Sequence, residues 1–272
     1  MIRSAALWKR NRVDIRYYDI GINLFSEQFK DREAIIREAE EAGVACIITG
    51  SDMESTRLTD EFTRSHEVWG TAGIHPHAAD RAQDKDFDEI KDILTSNPKM
   101  IAVGECGLDF NRMFSEKNNQ IKCLERHIGL AEELEMPMFL HERDASETFY
   151  EIFSGHRDVC PRSVVHCFTG TAETAKKYLE LGFSIGITGW ICDDRRAADV
   201  REAVKYIPAD RLLVETDAPY LAPRNVKGLG RVNHPRNIQY VARALAEYKQ
   251  MDAVILAEIL KRNTERLFGI GS

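Results

Sequence analysis

Residues 17–25 read YYDIGINLF, and how this stretch is taken decides the fold. Its β-branched and aromatic residues favour a strand. They run almost without polar interruption, as expected where both faces of a parallel sheet are buried. An open, doubly wound sheet that binds a dinucleotide would follow its first strand with G-x-G-x-x-G. No such motif follows residue 25. That sets the doubly wound sheet behind a closed barrel.

Seven more runs of the same kind lie downstream: VACIITG (44–50), VWGTAGI (68–74), MIAVGEC (100–106), MPMFLH (136–141), SVVHCFT (163–169), FSIGITG (183–189) and RLLVETD (211–217). Between them the apolar positions recur at helical spacing, as with Ile121, Leu124, Ile128 and Ala131, or Ala197, Val200, Val204 and Ile207. A strand with its returning helix needs about 30 residues, and eight such units fill roughly 250. The chain of 272 residues is therefore read as an α/β protein, a (β/α)8 TIM barrel. Residues 17–272 are expected to form its single domain, and residues 1–16 are expected to be a basic, disordered lead. The last helix, within residues 251–269, is amphipathic, stops at Gly269 and is expected to pack on the outside of the barrel.

Composition narrows the class. A net charge of −7 argues against a protein that holds nucleic acid through a large basic surface. It leaves room for an enzyme that grips a few phosphates with a metal and local arginines. No apolar run approaches the ~18–20 residues that span a bilayer. The basic opening MIRSAALWKRNRVDIR lacks the continuous apolar core of a secretory signal, although Arg-rich transit peptides look similar. The six cysteines contain no C-x-x-C pair, which reads as reduced thiols in a cytoplasmic protein. A monomer is the default, because no exposed apolar stripe stands out.

Catalytic groups of such a barrel sit at the C-terminal ends of its strands. Collecting acids and histidines there gives Glu105, His141, His166 and Asp217, with His75 and His77 after the third strand. The separations are 30 residues from His75 to Glu105, 36 on to His141, 25 to His166 and 51 to Asp217. The first three are single strand–helix steps and the last is a double step, so all these groups converge on one rim. Each alone would read as a packing histidine, a helix cap or a surface charge. Together they would be an unfavourable cluster of buried polar groups unless they held something. Two imidazoles with carboxylates suit a divalent metal such as Zn2+, Mn2+ or Mg2+. Cys106 and Cys167, next to two of these residues, should face the packing layer by strand alternation.

The motifs GIHPH, GECGLDF, HERD, VHCFTGT, GITGW, ETDAPYL and NTERLFG, in this order from about Tyr18 to Gly269, resemble the TatD family of metal-dependent deoxyribonucleases. That resemblance implies a barrel of the metallo-dependent hydrolase type. It also implies Mg2+-dependent hydrolysis of phosphodiester bonds, with 3′→5′ exonuclease action on single-stranded DNA and also RNA, in DNA repair or degradation. The resemblance further implies roles. Glu105, His141, His166 and Asp217 would bind metal, with Asp217 alternatively the general base. His75 would orient the scissile phosphate. Substrate contacts would come from Arg143, from Asp109 and Arg112 on the following loop, from Tyr220 stacking on a base, and from Arg224 and Asn233 on the last long loop. Arg143 has an alternative as a brace to a rim carboxylate, and Arg231 and Arg236 add charge near the last loop.

Two departures stand out. The family's common D-x-H-x-H opening reads D-I-G-I-N here, so Gly21 and Asn23 replace both histidines. One metal position, built on Glu105, His141 and His166, is expected to survive, and the second is left open. HERD puts Glu142 beside His141, facing either the packing layer or the rim. Two rival functions accompany the nuclease. One is an amidohydrolase-like enzyme acting on a small ester, amide or aminoacyl-tRNA, against which no lysine ends an apolar strand. The other is a non-catalytic protein with a decayed site, which the retained acids and histidines argue against.

Overall fold

The computed structural model describes residues 14–271, so most of the expected lead lies outside the described residues. Eight strands follow in chain order: β1 (Tyr17–Ile22), β2 (Val44–Ile48), β3 (Trp69–Ala72), β4 (Met100–Asp109), β5 (Met138–Arg143), β6 (Val164–Val165), β7 (Ser184–Ile187) and β8 (Leu212–Val214). Every neighbouring pair is parallel, in the order β1 to β8. The ring closes where Asp217 N–H donates to Gly21 O (3.0 Å) and Asn23 N–H donates to Ala218 O (2.7 Å). These two bonds stitch the D-I-G-I-N strand to the E-T-D segment, 194 residues away when counted from Asn23 to Asp217.

The helices are α1 (Arg32–Glu41), α2 (Met53–Ser65), α3 (Asp84–Ser96), α4 (Lys117–Glu133), α5 (Ser146–Ser154), α6 (Ala172–Leu181), α7 (Ala198–Tyr206), α8 (Ile238–Lys249) and α9 (Ala253–Phe268). Several start on a side-chain cap, among them Asp31, Asp52, Thr171 and Asp252, each satisfying a backbone N–H that the first helical turn leaves unpaired.

Strand alternation produces two apolar layers. Tyr18, Ile20, Ala45, Ile47, Ala102, Phe139, Val164 and Leu213 fill the barrel interior, while the opposite faces pack against the helices. The final helix does more than cover the outside. Leu256, Ala257 and Leu260 join the outer layer, but Phe268 and Ile270 pack against the interior set, and Tyr18 O–H donates to Glu265 (3.3 Å). The C-terminal segment is thus a floor under the barrel. Gly269 ends α9 in the left-handed region (φ 64°).

Strand β4 departs from the expectation that it ends at Glu105. It runs to Asp109, with a register shift against β5 between Gly104 and Cys106. A bulge of this kind bends a strand without ending it and re-aims a side chain. Gly107 permits the continuation: its φ is 144°, and a Cβ there would lie 1.8 Å from the carbonyl oxygen of His141. Only glycine allows that approach. Both Glu105 and Asp109 thereby reach the catalytic rim.

Candidate active site

The strand ends open into a cavity of about 690 Å3 lined by Glu105, His75, His77, His141, His166 and Asp217, together with Asn23 and several arginines. At its centre three imidazoles converge on one oxygen. His166 Nε2 lies 2.9 Å from Glu105 Oε1, His75 Nε2 3.3 Å and His141 Nδ1 3.4 Å. Burial would raise the Glu105 carboxyl, but the surrounding imidazoles outweigh it and hold the group well below the usual carboxylate range.

The tautomers follow from the other ring nitrogens. His75 Nδ1 accepts the backbone N–H of His77 (3.1 Å), so its Nε2 carries the proton and donates. Burial pushes its pKa down to about 3, so the ring is a neutral donor. Although His75, Glu105 and His141 place ligand atoms within 4.8 Å of one another, an Nε2 that keeps its proton has no lone pair for a cation. His166 is placed differently. Its Nδ1 faces Glu215 Oε2 at 3.3 Å and its Nε2 faces Glu105. Caught between two carboxylates, it is raised well above the usual histidine value despite its burial. Either a second proton or a cation must sit on the Glu105 side.

His141 carries a further sign. Its Nε2 is buried without a hydrogen-bond partner among the described residues; Asp109 Oδ2 stands 3.5 Å away, too far and too poorly aligned for a bond. Burial opposes its charge, but Asp109 and Glu105 outweigh that and raise its pKa. That orphaned nitrogen faces Asp109, while the Glu105 oxygen with His141 Nδ1 and His166 Nε2 around it is a donor set that suits a divalent cation.

The structure accounts for the missing histidines. A Cβ added to Gly21 would meet Glu215 Oε2 at 2.6 Å and Phe139 Cζ at 2.9 Å. Glu215, fully buried, also receives the backbone N–H of Cys167 at 2.5 Å. The space a histidine at 21 would need is filled by this second acid. Sequence reasoning missed Glu215, though it follows the same apolar run as Asp217, in the E-T-D segment. Asn23 donates its amide to Asp217 Oδ1 (2.8 Å), so it holds that carboxylate in place. Asp19 turns the other way and accepts from Thr216 N–H (2.8 Å) and the Thr216 hydroxyl. The opening motif therefore braces the E-T-D segment. Burial first, and the carboxylates of Glu105 and Glu215 next, outweigh His166 and the Asn23 bond, pushing Asp217 up to about 7.

Asp217 and Cys167 follow their strands with φ of 53° and 47°, which ends the alternation there. That is why Cys167, expected in the packing layer, stands half-exposed on the cavity wall, while Cys106 is buried as expected.

The remaining candidates separate. Asp109 is buried and already occupied. Its Oδ1 accepts from Asn111 N–H (3.0 Å) and Arg112 N–H (2.8 Å), and its Oδ2 pairs with His77 Nε2 at 2.7 Å. It lines the cavity wall with both oxygens engaged by His77 and the loop. Arg112 and Arg143 line the cavity, as does Arg81; among the described residues none of the three forms an ion pair, so the expected alternative brace on Arg143 is not made. Tyr220 lines the mouth and is exposed. Arg224 is exposed away from the cavity lining. Asn233 is fully buried, donating to Thr216 O (3.1 Å) and accepting from Asn237 (3.0 Å), and so supports the E-T-D segment from behind. Arg236 pairs with Glu38. Glu142 lines the cavity and accepts from the Tyr178 hydroxyl (2.6 Å) and Ala145 N–H (2.8 Å).

Comparison with known proteins agrees with this geometry. The family described as TatD related DNase matches residues 18–269. A protein of Escherichia coli (strain K12) named 3′-5′ ssDNA/RNA exonuclease TatD is 41% identical over 258 residues, which is 93% of this chain and 99% of that one. A Shigella flexneri protein of the same name has the same identity and coverage. Among solved structures, a TatD homologue from Escherichia coli K12 superposes with a TM-score of 0.86 at 28% identity, covering 94% of this chain and 99% of its own.

Proposed function

The chain belongs to the TatD related DNase family, and from that premise we propose that it is a metal-dependent exonuclease that hydrolyses phosphodiester bonds in single-stranded DNA and RNA, stepping 3′→5′. The observation that carries the reading is the coexistence, in one cavity, of an imidazole-ringed Glu105 and guanidinium groups left without carboxylate partners. The first suits a cation, and the second suits a chain of phosphates. Among the described residues no lysine lines this cavity, which weighs against a carbamylated-lysine site.

Glu105, His141 and His166 would hold the divalent cation, with Asp217 beside them. We take it to be Mg2+, with Mn2+ or Zn2+ also compatible with imidazole and carboxylate donors. When bound, such an ion lends Lewis acidity to a phosphoryl oxygen and to water. The chain's own groups do the rest. Asp217, fixed through Oδ1 by Asn23, takes a proton from the attacking water. The neutral His75 donates its Nε2 proton toward a phosphate oxygen. Arg81, Arg112 and Arg143 neutralise the strand as it enters, with the forked geometry that suits phosphate. Glu215 faces His166 Nδ1 and would hold the tautomer that leaves Nε2 free to bind a cation, the usual task of a carboxylate behind a metal-binding histidine.

All six cysteines are unpaired, in keeping with a reducing cytoplasm, and among the described residues no helix is long and apolar enough to cross a membrane. We place the protein in the cytoplasm as a monomer that trims or degrades DNA ends. The test is hydrolysis of end-labelled single-stranded DNA by chelator-treated protein titrated with Mg2+, Mn2+ or Zn2+. Stepwise shortening from the 3′ end that needs metal and disappears in His141→Ala and Asp217→Ala supports the reading. A folded protein that cleaves with none of the metals refutes it.

A further inference from the structure

Two aromatic groups at the cavity mouth have no part in the chemistry above. Phe114 lies on the segment between β4 and α4, and its side chain is 63% exposed, yet the segment around it is firmly tied. Asn111 N–H and Arg112 N–H both donate to Asp109 Oδ1. The next residue, Ser115, is buried, with its carbonyl bound by Gln120 (2.9 Å) and its hydroxyl by Asp80 N–H (3.2 Å). The Phe114 ring stands at 87° to His77, centroids 4.8 Å apart. His77 is itself 6.2 Å from the ring of His141. A T-shaped contact occupies at most one face of the phenyl ring, so at least one face remains open. An apolar ring held in water by a braced loop, two ring contacts from the candidate catalytic cluster, is arranged to receive something flat.

The second group follows β7. Trp190 donates its indole N–H to Arg196 O (3.1 Å), and the Arg196 guanidinium lies 3.7 Å from its ring centroid. Asp193 holds Arg196 from the side (3.1 Å). Both residues line the same cavity as Phe114. In a ring of eight strands β4 and β7 are three positions apart, so the two groups flank the catalytic centre from different sides. Each would meet a base of its own.

We propose that Phe114 and the Arg196-capped Trp190 are two nucleobase-stacking subsites flanking the scissile phosphate, so that the enzyme takes hold of unpaired bases by their faces. This rests on the nuclease reading and deepens it. Every base has a face, so stacking on an aromatic ring or a guanidinium plane is blind to sequence. In a duplex those faces are already covered by neighbouring bases. Single-strand preference then follows from the stacking subsites, while the guanidinium groups, which see only phosphate, would accept either form.

The test compares an intact single strand with strands carrying one abasic nucleotide at the terminal or the penultimate position. Both cleavage and binding are measured on the metal-loaded protein, the binding with phosphorothioate strands that resist cleavage. Wild type is expected to lose about tenfold on abasic placement, the usual size of one stacked base. Phe114→Ala should lose the same factor on the intact strand and nothing further at one abasic position, whereas Phe114→Trp keeps the discrimination. Trp190→Ala and Arg196→Ala should do likewise at the other position. Equal handling of intact and abasic strands by wild type overturns the proposal. So does Phe114→Ala lowering all strands by one common factor, since that would mark a structural role through His77. Binding that prefers the intact strand, with no cleavage of any strand, would support the subsites and sink the nuclease reading instead.

Discussion

Writing a side chain back at position 21 brings a Cβ to 2.6 Å from Glu215 Oε2 and 2.9 Å from Phe139 Cζ. Neither neighbour can step aside cheaply. Phe139 is fully buried and lies 4.3 Å from the His166 ring. Glu215 is fixed by Cys167 N–H and His166. Overpacking a closed core costs about 1–3 kcal/mol, and weakening one hydrogen bond to a buried charge adds roughly 1.5–3 kcal/mol. Gly21→Ala is therefore expected to destabilise the protein by about 2.5–6 kcal/mol. At about 2–4 °C per kcal/mol for a chain of this size, that is a fall in Tm of the order of 10 °C. Thermal unfolding of Gly21→Ala, Glu215→Ala and the double variant measures it. Because removing the Glu215 carboxylate removes the closer of the two clashes, the pair should be non-additive by roughly 1–2 kcal/mol. An unchanged Tm for Gly21→Ala, or strict additivity, would refute this account of D-I-G-I-N. So would a Gly21→His/Asn23→His variant that folds with wild-type stability and takes up a second ion.

Three further outcomes follow from the site and the core. Glu215→Gln should weaken metal binding by about 10–100-fold, read by titration calorimetry, and its fold should be checked by circular dichroism. Adding metal at about 100 times its Kd should stabilise the protein by about 2.7 kcal/mol, so chelator should lower Tm by several degrees and His141→Ala should abolish the difference. His127 lies outside the catalytic cavity. It is fully buried, with Nδ1 donating to Cys123 O (2.7 Å) and Nε2 accepting from Ile74 N–H (3.1 Å), and burial pushes it down to about 4 from 6.5. Between those values the unfolded chain binds a proton that the folded chain refuses, so stability falls as pH drops from 6.5 toward 4, by about 3 kcal/mol. His127→Gln should flatten that part of the stability–pH curve in urea unfolding, and an unaltered slope would contradict it.

Much of the molecule was legible in residue order. Eight apolar runs at regular spacing predict eight buried strands, and a strand begins in each. Acids and histidines at their ends predict a common rim, and Glu105, His75, His141, His166 and Asp217 do share one cavity. These properties are local or periodic: a run of apolar residues makes a strand wherever it sits, and a fixed repeat length brings successive strand ends to the same side. The same regularity led astray where it stopped. Alternation put Cys167 in the core, but a positive φ right after β6 turned it to the cavity. Strand β4 was expected to end at Glu105, but a bulge and Gly107 carried it on to Asp109.

The sequence by itself determined the fold class and the roster of chemical groups, because both are written in composition and spacing. Only the tertiary structure decided what those groups do to one another. Closing β1 against the segment after β8 lets Asn23 hold Asp217, lets Asp19 hold Thr216, and fills with Glu215 the space beside Gly21. The bonds of Asn23 and Asp19 span more than 190 residues. No periodicity extends that far: a contact of this kind exists only because eight strands tilt and twist enough to bring the last against the first.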